Sequence, residues 1–369
     1  MGHESLVNED WANLVAQLGG AETLQLTARE TKAFLRPREI TNALDLLRLI
    51  LAYCLGKGGL RSTAAWATSV GLVDISNVAL LYRLRQCGDW LAMLVGLALA
   101  SAGPKASRGR IIRIIDATTV PKKALLARKN NELWRIHSAF DLPQERFGHF
   151  ELTDQEAGEA LDRIPAVAGE IRLGDRAYLQ PDRMATLMQA GADFVIRAGW
   201  KGARWRNEKG SVVDLVAELR KSSDRGLIDR PIWIERKGGK GGEPLALRLV
   251  AIKKPEQAAA AARRKARRDA QRGGHQLSPQ TLDAADWVIL VTSLKLEDFA
   301  TAEILALYRL RWRIELAFKR LKSLIGLKGP PGTDKRSARP HVLAHLLTIL
   351  LLEPLIDELE DSPRLVQAA

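Results

Sequence analysis

The segment Arg110–Asp116 reads RIIRIID, a β-rich run that ends on a carboxylate. Two further runs with the composition of strands, Leu133–Asp141 and Phe147–Thr153, follow it and are separated by the turn-like residues Pro143–Arg146. These runs predict a sheet that begins at Arg110, with Asp116 at the end of its first strand.

Further along the chain, the pattern alternates between helix and strand. The sequence predicts a short helix over Glu156–Arg163, a fourth strand over Glu170–Leu173 that ends at Asp175, a helix over Pro181–Gln189 and a fifth strand over Ala192–Arg197. The predicted order is therefore β-β-β-α-β-α-β, with one aspartate at the end of the first strand and another after the fourth.

The residues before this sheet, 1–105, form a predicted N-terminal helical domain. Leucine and alanine recur at helical spacing in Asn42–Leu55, Leu60–Val70, Val78–Gln86 and Trp90–Ala100. The middle two segments have the length of a helix–turn–helix pair, with Gly71 ending the first helix and Ser76 or Asn77 capping the second, which carries Arg83 and Arg85. Two interpretations stay open: a DNA-reading module, or an ordinary helical bundle with solvated arginines.

Residues 199–298 have the character of a β-rich insertion with a basic arm. Short strands are predicted over Pro231–Arg236, Leu245–Lys253 and Trp287–Ser293. The stretch Lys253–Arg272 holds eight basic residues and two acidic ones, and its alanines favour a helix. Contact with a DNA backbone is the preferred interpretation of its arginines, and a merely solvated helix is the alternative; the candidates are Arg263, Arg264, Arg267 and Arg268.

The overall composition indicates a globular protein with a polyanionic partner. Lys and Arg number 56 against 43 Asp and Glu, which gives a net charge of +13, and 46% of the residues are hydrophobic. The two cysteines, Cys54 and Cys87, lack zinc spacing, and His341 and His345 lack the glutamate of a zinc-protease motif. No apolar run reaches the roughly 20 residues that span a bilayer, and the first residues do not resemble a signal peptide. A cytoplasmic protein that binds nucleic acid, with no membrane partner, is therefore predicted.

A helix predicted over Thr301–Ile325 carries a polar stripe beside its apolar face. At 100° per residue, Tyr308, Arg311, Glu315 and Lys322 fall within a wedge of about 60°. Taken alone, this stripe also fits a surface helix in which Arg311 and Glu315 form an ordinary i,i+4 ion pair. A second helix is predicted over Pro340–Leu359.

Asp116, Asp175 and Glu315 together suggest a site for hard divalent cations. Carboxylates on neighbouring strand ends can converge on one point, and Mg²⁺ prefers oxygen ligands. Two such ions about 4 Å apart can activate a hydroxyl and stabilise the leaving oxygen of a phosphodiester.

With this order of elements, the sequence resembles the DDE transposases, which have a ribonuclease H-like fold. The spacing Tyr308-x2-Arg311-x3-Glu315-x6-Lys322 matches the Tyr–Arg–Glu–Lys signature of the insertion sequence 4 transposases. Asp116-Ala-Thr-Thr and Gly-Asp175-Arg-Ala-Tyr resemble the family's segments around its first and second aspartates. The expected fold is α/β: a ribonuclease H-like mixed sheet flanked by helices, formed by 106–198 and 299–369, with the insertion over 199–298.

The resemblance implies a role for each matched residue. Asp116, Asp175 and Glu315 would bind two Mg²⁺ ions, for which Mn²⁺ can substitute, while Tyr308, Arg311 and Lys322 would contact phosphates. Trp287 stands where related enzymes stack a tryptophan on a flipped base, and the alternative is a core residue at the head of a strand. His137 lies on the second strand and either approaches the site or fills the core.

The resulting prediction is a bacterial DNA transposase that associates with the nucleoid. It would bind terminal inverted repeats, cleave the element ends through a hairpin and join the 3′-ends to target DNA, acting as a homodimer in the DNA complex. Two alternatives remain open: a non-catalytic DNA-binding repressor or inhibitor derived from a transposase, and a structure-specific nuclease without strand transfer.

Overall fold

The computed structural model describes residues 11–56, 58–101, 110–121, 133–142, 146–154, 156–236, 243–311, 315 and 334–361. The described strands are β1 (Ile112–Pro121), β2 (Leu133–Leu142), β3 (Arg146–Asp154), β4 (Ile171–Gly174), β5 (Asp193–Arg197), β6 (Trp205–Arg206), β7 (Leu227–Ile234), β8 (Leu245–Lys253) and β9 (Trp287–Thr292). They form a nine-stranded mixed sheet in the order β3-β2-β1-β4-β5-β9-β8-β7-β6.

The helices lie on both faces of this sheet. They are α1 (Gly20–Glu30), α2 (Ala43–Leu55), α3 (Leu60–Ser69), α4 (Asn77–Gln86), α5 (Gly88–Ser101), α6 (Pro181–Gln189), α7 (Leu215–Lys221), α8 (Glu256–Arg272), α9 (Pro279–Ala285), α10 (Thr301–Arg309) and α11 (Lys335–Asp361). This mixed α/β architecture confirms the predicted fold class and is consistent with a ribonuclease H-like DDE fold. Within the described residues, no helix combines the length and the hydrophobicity that a bilayer span requires.

The directions of the strands place the carboxyl ends of β1, β4, β5 and β8 at the same edge of the sheet. β4 is parallel to β1 and to β5, while β9 is antiparallel to both β5 and β8. β1, β4, β5 and β8 therefore all run the same way. We call the edge at which these four strands end the carboxyl edge.

Side chains alternate between two buried layers. Ile114, Leu173 and Val195 point to one face of the sheet, where they share a core with the N-terminal helices and α11. Ile115 and Ile196 point to the opposite face and pack in a second core with residues of α6 and α7. We call the face that carries Ile114, Leu173 and Val195 the helical face. Because the N-terminal helices pack on it, the helices and the sheet share one continuous hydrophobic core.

The N-terminal helices match the predicted segments closely. Gly71 ends the first helix of the pair with a φ of 68°, and Ser76 caps α4 by accepting a hydrogen bond from the backbone N–H of Ala79 at 3.2 Å. Arg85 of α4 forms an ion pair with Asp334 at 2.8 Å, next to the start of α11. One of the two arginines considered for DNA contact is therefore already paired within the protein, and DNA reading by this helix pair stays a prediction.

Two predictions for the first half of the sheet were wrong, and β7 begins at Leu227, four residues before the predicted start. β1 does not end at Asp116 but continues to Pro121, because β2 pairs with it along its whole length. The predicted helix over Glu156–Arg163 is absent, and these residues form turns in the structure.

A buried charge network accounts for those turns. Arg172 and Glu170 are fully buried and form an ion pair at 2.5 Å, and Glu170 also pairs with Arg113 at 2.7 Å. Arg172 donates hydrogen bonds to the carbonyl oxygens of Leu161 at 2.6 Å and Pro165 at 2.7 Å. The buried guanidinium thereby fixes the positions of the Leu161 and Pro165 carbonyls, and this tertiary contact overrides the local helix propensity.

Candidate active site

The register between β1 and β4 places Asp116 next to Asp175. The two strands pair in parallel from Ile112 with Ile171 to Ile114 with Leu173. Continued by two residues, the same register sets Asp116, within β1, beside Asp175, which follows the last residue of β4. Since side chains alternate along a strand, Asp116 lies on the helical face, and Asp175 is close enough for its charge to act on the Asp116 carboxyl.

The chain turns sharply after β4 and fixes the second aspartate. The Asp175 carboxylate accepts a hydrogen bond from the backbone N–H of Ala177 at 2.8 Å and begins a 3₁₀ turn over Arg176–Tyr178. Gly174 lies against the Tyr178 ring, and a Cβ at this position would come within 3.2 Å of that ring. The turn leaves the carboxylate of Asp175 beyond the end of its strand, where a ligand can reach it.

Electrostatics sets Asp116 apart from an ordinary surface aspartate. Burial is the main reason why the pKa of the Asp116 carboxyl is raised to about 7; the charge of Asp175 contributes to the rise, and the N–H of Ala117 and Arg311 oppose it. Two carboxylates held this close in a partly desolvated place favour a bound cation, because the cation offsets their mutual repulsion.

Asp116→Asn is expected to stabilise the metal-free protein at pH 8 by roughly 1–3 kcal/mol. The pKa of Asp116 is raised from its ordinary value of 3.8 to about 7 in the folded protein, so stability is lost progressively as the pH rises between these two values. Melting temperatures measured in a chelator from pH 4 to 8 should therefore diverge steadily from about pH 4 and stay a constant distance apart above about pH 7. Asp162→Asn, at an exposed carboxylate, is the control, and a less stable Asp116→Asn protein at pH 8 would contradict this account.

Tyr308 and Arg311 are brought to the two aspartates by α10. Arg311 Nη2 forms an ion pair with Glu315 Oε1 at 2.5 Å, and the Arg311 guanidinium carbon lies 5.9 Å from the centroid of the Tyr308 ring. Burial raises the pKa of Tyr308, and Arg311 and Arg197 oppose the rise, so these charges lie near its hydroxyl. The prediction of one uninterrupted helix over Thr301–Ile325 was wrong. The helix α10 ends at Arg309, and the next two residues, Leu310 and Arg311, form a turn. Lys322 lies outside the described residues.

The donor set fits a hard divalent cation only in part. Asp116 and Asp175 offer oxygen ligands at adjacent positions, which suits Mg²⁺. The side chain of Glu315 is 58% exposed and is ion-paired with Arg311, so it does not join the two aspartates as a third ligand. Among the described residues, no three Asp, Glu, His or Cys side chains come close enough to share one ion. Glu315 would have to leave Arg311 to become a third ligand.

The sequence analysis did not single out Glu159, a further carboxylate near the pair. It lies 3.9 Å from Arg135, and its backbone carbonyl accepts a hydrogen bond from Gln180 Nε2 at 2.8 Å. Burial raises the pKa of Glu159, and the charge of Asp175 adds to the rise. No spacing rule points to this residue, because its position depends on the turns that replace the predicted helix.

His137 fills the core and does not approach Asp116. It pairs with Ala117 across β1 and β2, so it faces the side of the sheet opposite to Asp116. Its Nε2 is hydrogen-bonded to Thr153 Oγ1 at 2.9 Å, and burial lowers the pKa of the ring to about 4. His341 and His345 are likewise buried, on α11.

The structure places Trp287 in the core. Its side chain is 3% exposed and packs in the second core, on the face away from the helical face. Stacking on a DNA base would require the indole to leave that core, so the burial favours the core interpretation.

The four arginines of the basic arm differ in their surroundings. Arg263 is paired twice, with Asp286 at 2.6 Å and with Glu256 at 2.5 Å. Arg264, Arg267 and Arg268 are exposed on α8, and in the described part of the chain no carboxylate lies within ion-pair distance of them. Three of the four guanidinium groups are therefore available to an external anion.

Comparison with known proteins identifies the class. Residues 107–351 match the family described as Transposase DDE domain, and the chain belongs to that family. The match begins just before β1 and ends within α11, so it includes Asp116, Asp175 and Glu315.

Two relatives from Escherichia coli extend the similarity to nearly the whole chain. The putative transposase InsL for insertion sequence element IS186A, from strain K12, is 34% identical over 360 residues, covering 96% of each chain. The transposase for insertion sequence element IS421 is 34% identical over 363 residues, again covering 96% of each chain.

Proposed function

We propose that the protein is a transposase of the insertion sequence 4 type that cleaves the ends of its own element and joins the 3′-ends to target DNA. The observation that carries this proposal is the parallel pairing of β1 with β4, which brings Asp116 and Asp175 together near the Arg311–Glu315 pair. The family match and the positive net charge of +13 support the same conclusion.

Asp116, Asp175 and, once released from Arg311, Glu315 would hold the Mg²⁺ ions. When bound, these ions would activate the attacking hydroxyl and stabilise the leaving oxygen of the phosphodiester. Release of Glu315 would also free the Arg311 guanidinium, which presents a fork of donors suited to a phosphate. Tyr308, packed beside Arg311, would fix the position of that guanidinium.

The hairpin route, the terminal inverted repeats and the dimer in the DNA complex belong to this proposal. Incubation of the protein with Mg²⁺ and a duplex carrying the DNA that flanks its coding region tests them together. Nicked, hairpin and joined products are expected in that order. Nicked products without joined ones would favour the structure-specific nuclease, and binding without cleavage would favour the repressor.

The arm on α8 gives a second test of DNA contact. Replacing Arg264, Arg267 and Arg268 together by glutamine should weaken binding to DNA of any sequence and flatten its salt dependence. Each lost phosphate contact lowers the slope of log affinity against log salt by about 0.9, so a loss of about 2.7 is expected. Fluorescence anisotropy over a salt series would measure it.

Arg263→Gln is the matched control for the arm, because Arg263 is already paired with Asp286 and Glu256. We expect its slope to stay close to that of the wild type. A triple variant with an unchanged slope would mean that α8 is only a solvated helix.

A further inference from the structure

Arg197 lies close to the aspartates, where the pairing of β4 with β5 ends. β4 and β5 pair in parallel up to Gly174 with Ile196, and Asp175 and Arg197 are the residues that follow this last pair. Val195, two residues earlier, packs on the helical face, so Arg197 points to that face as well. Asp116 on β1, Asp175 just after β4 and Arg197 at the end of β5 thus stand on three neighbouring segments of the sheet.

Two further cations lie at the same edge. Arg176 follows Asp175 in the 3₁₀ turn. Lys254 follows β8 and is fixed twice: its backbone N–H donates to Asp286 O at 2.8 Å, and its Nζ donates to Ala285 O at 2.5 Å. The 3₁₀ turn, β5 and the end of β8 therefore each contribute one positive charge to the carboxyl edge. We call Arg176, Arg197 and Lys254 the edge cations.

The edge cations repel one another. Burial, together with the charges of Arg197 and Arg176, lowers the pKa of Lys254 to about 8, and Asp286 opposes the fall. Within the described residues, no carboxylate lies within ion-pair distance of any of the three, because Asp286 is occupied by Arg263. Arg197 Nε is buried and has no hydrogen-bond partner in the same part of the chain. Holding three like charges together costs folding free energy, which a bound anion would offset.

The position of the edge cations indicates which anion they receive. They begin beside Asp175 and end at Lys254, two residues before α8, and the Arg263–Asp286 pair joins Lys254 to that helix. A single small anion could touch the edge cations alone, whereas a DNA strand could continue from them to Arg264, Arg267 and Arg268. A chain of phosphodiesters matches this line of charges.

We propose that the edge cations bind backbone phosphates of the DNA strand that runs from the cleaved end to α8. The inference rests on the proposed function and specifies the course that the DNA strand takes over the protein surface. DNA leaves the aspartate pair over Arg176 and Arg197, passes Lys254 and reaches the exposed arginines of α8. Arg and Lys suit this task because they bind phosphate without regard to base sequence.

The test compares an Arg197→Gln, Lys254→Gln double variant with Lys253→Gln. Lys253 is the neighbouring residue in sequence, but its Nζ is hydrogen-bonded to Ser223 Oγ at 2.5 Å and it alternates to the other face. Binding to a duplex carrying the element end is measured in Ca²⁺ over a salt series. The double variant should lose about 1.8 from the log–log slope, and Lys253→Gln should lose nothing.

A stability measurement without DNA accompanies the test. Because the substitutions remove like charges, the double variant should melt at or above the temperature of the wild type. If the double variant melts at a lower temperature than the wild type, the single variant Lys254→Gln is measured in its place. Its slope of log affinity against log salt should then fall by about 0.9.

The outcomes separate the two proposals. A folded variant whose slope matches that of the wild type overturns the path over the edge cations, while Mg²⁺-dependent cleavage by the wild type keeps the proposed function. Failure of the wild type to cleave the end duplex overturns the proposed function, whatever the slopes.

Discussion

Asp116→Asn or Asp175→Asn is expected to reduce strand cleavage by more than about 100-fold. Changes to groups that merely orient metal ligands already cost about 10–100-fold, and a direct ligand should cost more. Affinity for DNA should stay near that of the wild type, because phosphate affinity comes mainly from Lys and Arg. Single-turnover cleavage of an end duplex in Mg²⁺, together with anisotropy on the same preparation, measures both quantities.

The same experiment applies to Glu315, whose ion pair with Arg311 makes its role as a ligand less direct. Glu315→Gln should lose cleavage to a similar extent if the carboxylate is released to an ion in the DNA complex. Asp162→Asn is the control, because Asp162 is exposed and paired with Arg183 at 2.6 Å. Cleavage at wild-type rate by either aspartate variant would remove the assignment of the site.

Trp287→Ala is expected to destabilise the fold by roughly 3–5 kcal/mol. The indole is almost completely buried among apolar neighbours at the start of β9, so its removal leaves a cavity. Nicking and hairpin formation should fall together, because the loss acts on the amount of folded protein. Thermal melting, nicking and hairpin yield measured on one preparation would show this.

Two controls sharpen the tryptophan experiment. Trp66→Ala, at a side chain that is 37% exposed on α3, should cost much less stability. Trp287→Phe should recover part of the loss, because it restores most of the buried volume. A Trp287→Ala protein with a normal melting temperature and a selective defect in hairpin yield would instead support base stacking.

Local signals were sufficient to predict several elements. The predicted bounds of α6 agree with the structure because Pro181 occupies the first turn and Gly191 adopts a left-handed conformation just beyond the end. The predicted bounds of β8 also agree with the structure. Its apolar residues pack alternately into the two cores, and the charged residues Lys253 and Lys254 mark its end. The proximity of Asp116 and Asp175 was also expected, although Asp116 lies within β1 and not at its end; the two residues meet because the shorter β4 ends beside the middle of β1.

Long-range contacts decided the features that were mispredicted or missed. Residues 156–163 have a helical composition, but the buried Arg172 binds the carbonyl of Leu161, and no property of the local sequence reveals that contact. Arg197 belongs to a strand whose register with β4 is known only from the sheet. Trp287 begins a strand, WVILVT, that is apolar in all but its last residue, so no alternation in the sequence showed on which face the indole lies.

The way the sheet is completed has a consequence for the nascent chain. β5 has β4 on one side, but its other partner is β9, which is synthesised nearly a hundred residues later. At about 5–20 residues per second, the free edge of β5 waits about 5–20 s on the ribosome. During that interval Arg197 lacks its final neighbours, and α10 and the turn with Arg311 that follows it have not yet been synthesised. The proposed transposase would thus remain inactive until most of its chain has been translated.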